Sequence, residues 1–509
     1  MRRAPLLEGA ALAVLGPWVA VALLGTPVPA QTTTDRLPEW VPPAVEEVEV
    51  SVSDEIAARL HVKARAEKDF EAMRTFRPGF SFWQHIFVIP DGSIVFGSKE
   101  DGRLLATFPG RGDWERRGRW EDESLAGVLE GQPLEDRVGD RREQVAALLE
   151  SAVGPVQHNP TRGDFLLPNA RRYGSFLADW SAIYERFGVP SEIGLAQAIL
   201  ESGLNGKIRS SARAIGFCQW LPRNWERLKK QASSVIEAHN QTTQAAYCAA
   251  YLTVLATKYG TFIPALSEHH SGGANVGRTV INGVRLGGGD VREQYLMGSA
   301  FQRDLRNLSP QRFKDVYRSY GPRSFLYAEM VFGNTFTVES LRERIPQERI
   351  HAMRARRNIP LAEITRRTGL STDEVRRFNP ALVRQVPAGA TLYLPVRMEE
   401  FGKDVSFWHR PPSDEYSAVL NDFVRLEVTP DEWEHPSFQP VLRSLQRRFR
   451  ETGTEEGDVM AAVLGYAMQE MTLNRRVLAE YRDDPRIQGL FEEGVREREA
   501  TSTEIGRGR

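Results

Sequence analysis

ILESGLNGKIRSSARAIGFCQWLP, residues 199–222, decides how the rest of the chain is read. It opens on a carboxylate at the end of an apolar run. Upstream, Ile193, Leu195, Ala196, Ile199 and Leu200 recur at mixed three- and four-residue steps, the spacing of a buried helix. Pro190 and Ser191 stand at its start, with Ser191 as the expected N-cap. Gly203 follows Glu201-Ser202 and suits the left-handed residue that ends a helix. Glu201 is therefore expected in the last turn of a mostly apolar helix. Both the apolar surroundings and the negative end of the helix dipole disfavour its charged form. A carboxyl kept protonated near neutral pH suits a general acid.

The positions Glu201, Ser202, Ser210, Ala214, Gly216, Gln219 and Pro222 keep one spacing without a gap. On them the stretch resembles the lysozyme-like domain of the soluble lytic transglycosylases, with Phe217 and Cys218 in place of that family's Leu and Met. The resemblance is spread more loosely over residues 165–335. Residues 242–259 form an Ala- and Tyr-rich helical run closed by Gly260, as in the family. In PALSEHHSGGANV, residues 264–276, Ala265, Leu266, Gly272 and Val276 match, while His269 and His270 replace the family's Tyr and Asn. Tyr327 falls where the family has a further cleft Tyr.

The resemblance implies a peptidoglycan-cleaving enzyme acting on glycan strands. Glu201 would be catalytic, with Ser210, Gln219, His269, His270 and Tyr327 binding substrate. Glycoside cleavage usually takes two carboxyl groups. The lytic transglycosylases use one, which donates a proton to the glycosidic oxygen and then takes one from the sugar's own C6 hydroxyl. No cofactor or metal is expected; Glu268-His269-His270 is a weak metal motif, because adjacent His side chains diverge. Two alternatives stay open: a lysozyme-type hydrolase, and a non-catalytic wall-binding protein that has lost the Tyr-Asn pair. Cys218 and Cys248 are the only cysteines. They would lie on elements that pack together in such a fold, as a disulfide or as two buried thiols.

The 509 residues, 41% hydrophobic and 26% charged, are enough for several cores. A net charge of −1 gives no sign of a nucleic-acid partner. Residues 1–30 read as a signal peptide: Arg2 and Arg3, then a short apolar run, then Val28-Pro29-Ala30 as cleavage site. An exported protein, periplasmic or wall-associated, with no membrane span in the mature chain is expected. Residues 31–53 read as a Pro-, Thr- and Glu-rich linker.

The overall expectation is a mainly α protein with a small β-containing N-terminal region, residues 54–150. In HIFVIPDGSIVF, Asp91-Gly92 lies between two apolar runs, a hairpin signal. Residues 171–187 read as one amphipathic helix. RRNIPLAEITRRTGLSTDEVRRFNPALVRQVPAGATLYLPV, residues 356–396, resembles a LysM module, a small βααβ unit that binds N-acetylglucosamine polymers. The matches are Leu361, Ile364, Gly369, Val375, Asn379, Pro380, Gly389, Leu392 and Pro395; Asn358-Ile359-Pro360 replaces the family's Gly-Asp-Thr entrance. The module is placed at 349–397, a helical region at 401–499 and a disordered tail at 500–509.

Overall fold

Ser53 starts the first helix by accepting a hydrogen bond from the Ile56 N–H, and the chain runs helically over Asp54–Phe76. A computed structural model describes residues 52–228, 235–308, 310–316 and 322–507. The expected signal peptide and nearly all of the linker lie outside these residues. The protein is mainly helical, with small sheets. Among the described residues no helix is long and apolar enough to cross a membrane.

The helix Ser191–Ser202 is buried on nearly every side. Leu177–Arg186, Gln241–Tyr259 and Tyr327–Arg344 pack around it. Its apolar residues have no single stripe because it has no solvent face. Pro190 occupies the N-cap position rather than Ser191. Ser191 sits one residue in, and its hydroxyl donates to Glu185 Oε1 at 2.8 Å. Proline suits a helix start because its fixed φ fits and its missing N–H is an orphan there anyway.

The expected run 171–187 is broken. Gly163–Tyr173 and Leu177–Arg186 are separate helices joined by a 3₁₀ turn at Gly174–Phe176. The turn carries Phe176 onto Trp180 and Phe378, with ring centroids 5.7 and 4.7 Å apart.

The hairpin forms elsewhere than expected. The strand Ser93–Ser98 pairs with Leu104–Pro109 across Asp101-Gly102, while Asp91-Gly92 only leads into the first strand. The upstream apolar run is spent on the main core, which takes Ile86 and Phe87 beside Phe82 and Trp83. Ser93–Ser98 then pairs on its other edge with Val156–Pro160. The antiparallel sheet, completed by Arg119–Trp120, has its own core around Phe96, Phe108 and Trp114.

Beside the separate clusters of the N-terminal sheet and of residues 353–401, one main core joins segments read as separate regions. It runs from Val62 and Met73 in the first helix to Trp433, Leu442 and Met460 near the C-terminus. Val52–Arg509 forms one compact unit. Arg65 donates to Val424 O at 2.6 Å, and Arg186 pairs with Glu456 at 3.2 Å inside the protein. Residues 351–394 run strand, short strand, helix, helix, short strand, strand, the two short strands Ile359–Pro360 and Gln385–Val386 pairing with each other, with a capping box at Ser371 and Glu374. Yet Ala352, Phe378 and Tyr393 belong to the main core. The unit is stitched down: Asn240 donates to Phe378 O (2.9 Å), Thr391 donates N–H and hydroxyl to Glu237 (3.2 and 3.0 Å), and Ile350 N–H donates to Asp179 (2.5 Å).

The tail expected to be disordered from Ala500 continues as helix to Arg507 within Pro485–Arg507. Residues 496–500, Arg-Glu-Arg-Glu-Ala, are helix formers with no Gly or Pro before Gly506, so nothing local stops propagation.

Candidate active site

The helix Ser191–Ser202 ends at Gly203, left-handed at φ 55°. A Cβ there would meet Phe165 O at 2.2 Å, so only glycine fits. Ser202, fully buried, donates its hydroxyl to Ala198 O (2.9 Å) and Phe217 O (3.1 Å). These bonds tie the helix end to the returning loop and leave Glu201 facing outward by one residue.

The Glu201 side chain is 12% exposed. The Tyr327 hydroxyl donates to its Oε1 at 2.5 Å, and His270 Nδ1 lies 3.8 Å from the same oxygen. His270 stacks flat on Tyr327, with centroids 4.3 Å apart and planes 10° apart, and its side chain is 34% exposed. Three groups far apart in sequence thus converge: Glu201 from one helix end, His270 from the end of Phe262–Ser271, and Tyr327 from the start of Tyr327–Arg344.

The electrostatics differ from the expectation. Burial does push the Glu201 carboxyl upward, but the His270 contact, the two neighbouring imidazoles and the Tyr327 hydroxyl together outweigh it. Glu201 is therefore held below the usual carboxylate range. Apolar neighbours along the helix were visible in the sequence; the histidines and tyrosine brought to the carboxylate were not. Burial and the adjacent carboxylate push the Tyr327 phenol well above its ordinary value, so it stays a neutral donor.

His269 takes a different path. Its Nε2 lies 3.0 Å from the Cys218 carbonyl, which can only accept, so Nε2 carries the proton. Its ring sits among Trp220 and Tyr251. Burial lowers its pKa, favouring the neutral ring. His269 is a packing residue behind the site, and only His270 of the pair stands in it.

Glu268 points away to a buried ion cluster. It accepts from Lys258 (3.0 Å) and Tyr259 (2.5 Å), and Lys258 also pairs with Glu434 at 2.7 Å. The consecutive triplet Glu268-His269-His270 therefore diverges onto three partners. Among the described residues no group of three or more His, Cys, Asp or Glu is placed to hold a metal ion.

Ser210 is exposed, and its hydroxyl accepts from the Ala214 N–H at 3.0 Å, closing its own turn. Gln219 is left-handed at φ 53° and donates Nε2 to Gly216 O at 2.9 Å and to Ile208 O at 3.5 Å. Both shape the loop; among the described residues no hydrogen bond joins either to Glu201. Gly216 is required there, since a Cβ would lie 2.4 Å from Gln244 Nε2. Gln244 is fully buried and accepts from the Cys218 N–H at 3.1 Å. Cys218 and Cys248 form a disulfide, with Cα atoms 6.2 Å apart, fixing the loop to Gln241–Tyr259.

Two supporting residues escaped the sequence reading. Gln197 is buried one turn before Glu201 and lies against Tyr327; the four-residue spacing was its only signal. Asp69 accepts from Thr261 Oγ1 and Phe262 N, both at 2.7 Å, and from Arg292. It thereby anchors the start of the helix that carries His270. Nothing in the sequence links Asp69 to position 262. The chain matches no family model, and no curated protein matches it.

Proposed function

We propose that this protein is a lytic transglycosylase that cleaves the β-1,4 bond between N-acetylmuramic acid and N-acetylglucosamine in peptidoglycan. The observation that carries the reading is the Glu201 carboxylate, 12% exposed, accepting from Tyr327 with His270 beside it. Among the described residues no second carboxylate is placed against this one. Glu268, the nearest in sequence on the facing helix, is held by Lys258. One carboxyl suffices if the attacking hydroxyl is already on the sugar.

A resting Glu201 held ionised must gain a proton before it can act as an acid. His270 is the adjacent group, its Nδ1 3.8 Å from Oε1. A glycan strand covering the pair would exclude water. That favours the protonated Glu201 carboxyl, because an ionised carboxylate loses its solvation there. Glu201 then protonates the glycosidic oxygen as the C1–O bond breaks. As a carboxylate again, it takes the proton of the C6 hydroxyl while that oxygen bonds to C1. The products are a free 4-hydroxyl and a 1,6-anhydro ring, with no water consumed. The intramolecular attack has a high effective concentration. Tyr327, always neutral, holds Glu201 Oε1 in position throughout.

A hydrolase is the second reading, favoured by one observation. His270 is a third exposed beside Glu201 and could hold a water near C1. Digestion of purified sacculi with mass analysis separates the two. Anhydro ends are expected; reducing ends, heavier by one water per cleavage, would assign the chain as a hydrolase. An absence of cleavage would leave only a wall-binding role.

A further inference from the structure

The helix end that carries Glu201 runs into a loop whose next cations, Lys207 and Arg209, face the βααβ unit. With His239 and Arg376 they line an open cleft of about 440 Å³, whose other wall is residues 380–383. Lys207 and Arg209 are exposed. Neither they nor Arg376 has a carboxylate partner among the described residues, and no carboxylate lines the cleft. Some arginines at other cavities are matched: Arg354 by Glu237 and Glu455, Arg186 by Glu456, Arg482 by Asp431. Here three cations share one cleft with no carboxylate in its lining.

The cations are not idle props. Arg376 spans the far wall, donating Nε to Leu382 O (3.2 Å) and Nη2 to Val383 O (3.3 Å), which fixes its guanidinium at the rim. Arg209 Nη2 lies 3.4 Å from His239 Nε2. Guanidinium only donates, so that nitrogen must accept and the proton sits on Nδ1, 3.2 Å from Gly206 O. His239 is therefore a neutral prop that aims Arg209. Pro380 and Leu382 are buried, but Val383 is 69% exposed, so the wall offers an apolar face beside the charges. Cations on both walls with a short apolar stretch between them suit an anionic peptide better than a bare inorganic anion.

We propose that this cleft binds the carboxylates of the peptide stems carried by the glycan strand, so that the βααβ unit and the Glu201 loop together select peptide-bearing substrate. The inference rests on the peptidoglycan reading for its substrate, and the cleft itself stands on the geometry. Guanidinium–carboxylate contacts are strong and directional, and an exposed cluster of them is screened by salt.

The full-length chain is titrated calorimetrically with a soluble muramyl stem peptide. Binding is expected, weakened by about tenfold or more in the double variant Lys207→Gln/Arg209→Gln and by 0.5 M sodium chloride, as exposed charge pairs require. Both side chains are exposed, so the variant should keep the wild-type near-UV spectrum. Lys207→Arg should restore much of the single-site loss of Lys207→Gln. No wild-type binding, or equal binding by both proteins, overturns the proposal. Displacement by inorganic phosphate beyond that by matched sodium chloride would reassign the cleft to phosphate and overturn the carboxylate. In a parallel assay, the double variant should show a raised KM on peptide-bearing strands and an unchanged KM on amidase-stripped ones. A wild-type chain that cleaves neither would sink the enzymatic reading, while the titration would still decide the cleft.

Discussion

Residues 191–222 and 351–396 both announce themselves in the sequence, and the structure treats them in opposite ways. The first delivers a side chain outward: the helix is buried, but its last turn leaves Glu201 at the surface beside His270 and Tyr327. The second turns inward: its strands and second helix contribute Ala352, Phe378 and Tyr393 to the common core. A motif whose work is done by one side chain at a helix end keeps its local meaning. A small unit takes its role from whatever its faces are packed against. Here the 351–396 unit keeps a cluster of its own around Ile359, Ile364, Leu392 and Leu394 and packs a few side chains into the common core.

The largest effect that tests this contrast is removal of residues 351–396. Excision opens the core around Phe176 and Trp180 and takes a buried hydrogen-bond partner from each of Asn240 and Glu237. Losing a buried aromatic alone costs about 3–5 kcal/mol, comparable to the net stability of many proteins. The excised chain should fail to give a cooperative unfolding transition by circular dichroism. A folded, active product would restore the detachable module and break the comparison.

Glu201→Gln should act on chemistry alone. The amide still accepts from Tyr327 but cannot donate a proton, so lytic activity should fall by about 10²–10⁴-fold with the denaturation midpoint little changed. Substantial residual cleavage by the folded variant would place the acid elsewhere.

Cys248→Ala tests how firmly the loop is held. The disulfide spans 30 residues, a closure worth about 3–4 kcal/mol in the chain-entropy view. The denaturant midpoint should fall accordingly, with activity falling further than in an equally destabilised variant of the N-terminal sheet. Equal losses in both would mean the loop needs no such anchor.

The smallest expected effect is a shift along the pH axis. His270→Gln removes the contact that first opposes burial, so the Glu201 carboxyl should rise. The protonated acid then persists to higher pH, and the alkaline limb of kcat/KM should move upward. The sign for stability follows. A carboxyl held below its unfolded value of about 4.5 stabilises the fold above that pH. The increment is lost as pH falls through the lower folded value. The wild type should therefore lose more stability than His270→Gln on acidification below about pH 4.5. An unmoved limb would show that His270 does not set the acid.

The sequence by itself determined the elements. The apolar runs, Gly203 and Gly260 placed the helix ends, because left-handed caps are local. The position of Glu201 in the last turn followed, as did the two short helices after residue 360, though not the extra strand pair at 359–360 and 385–386. The local reading failed wherever an apolar run had two possible uses. Ile86 and Phe87 looked like a strand and went to the core. Phe176 broke an expected helix to reach Phe378. Only the tertiary structure decided which of two adjacent histidines meets the acid. His269 and His270 differ by about 100° around one helix, and what lies on each side comes from residues 218, 220 and 327. The same long-range packing set the direction of the Glu201 pKa, since burial and helix position pull it up and partners distant in sequence pull it down. Charges act through space, and the chain's order carries no record of those distances.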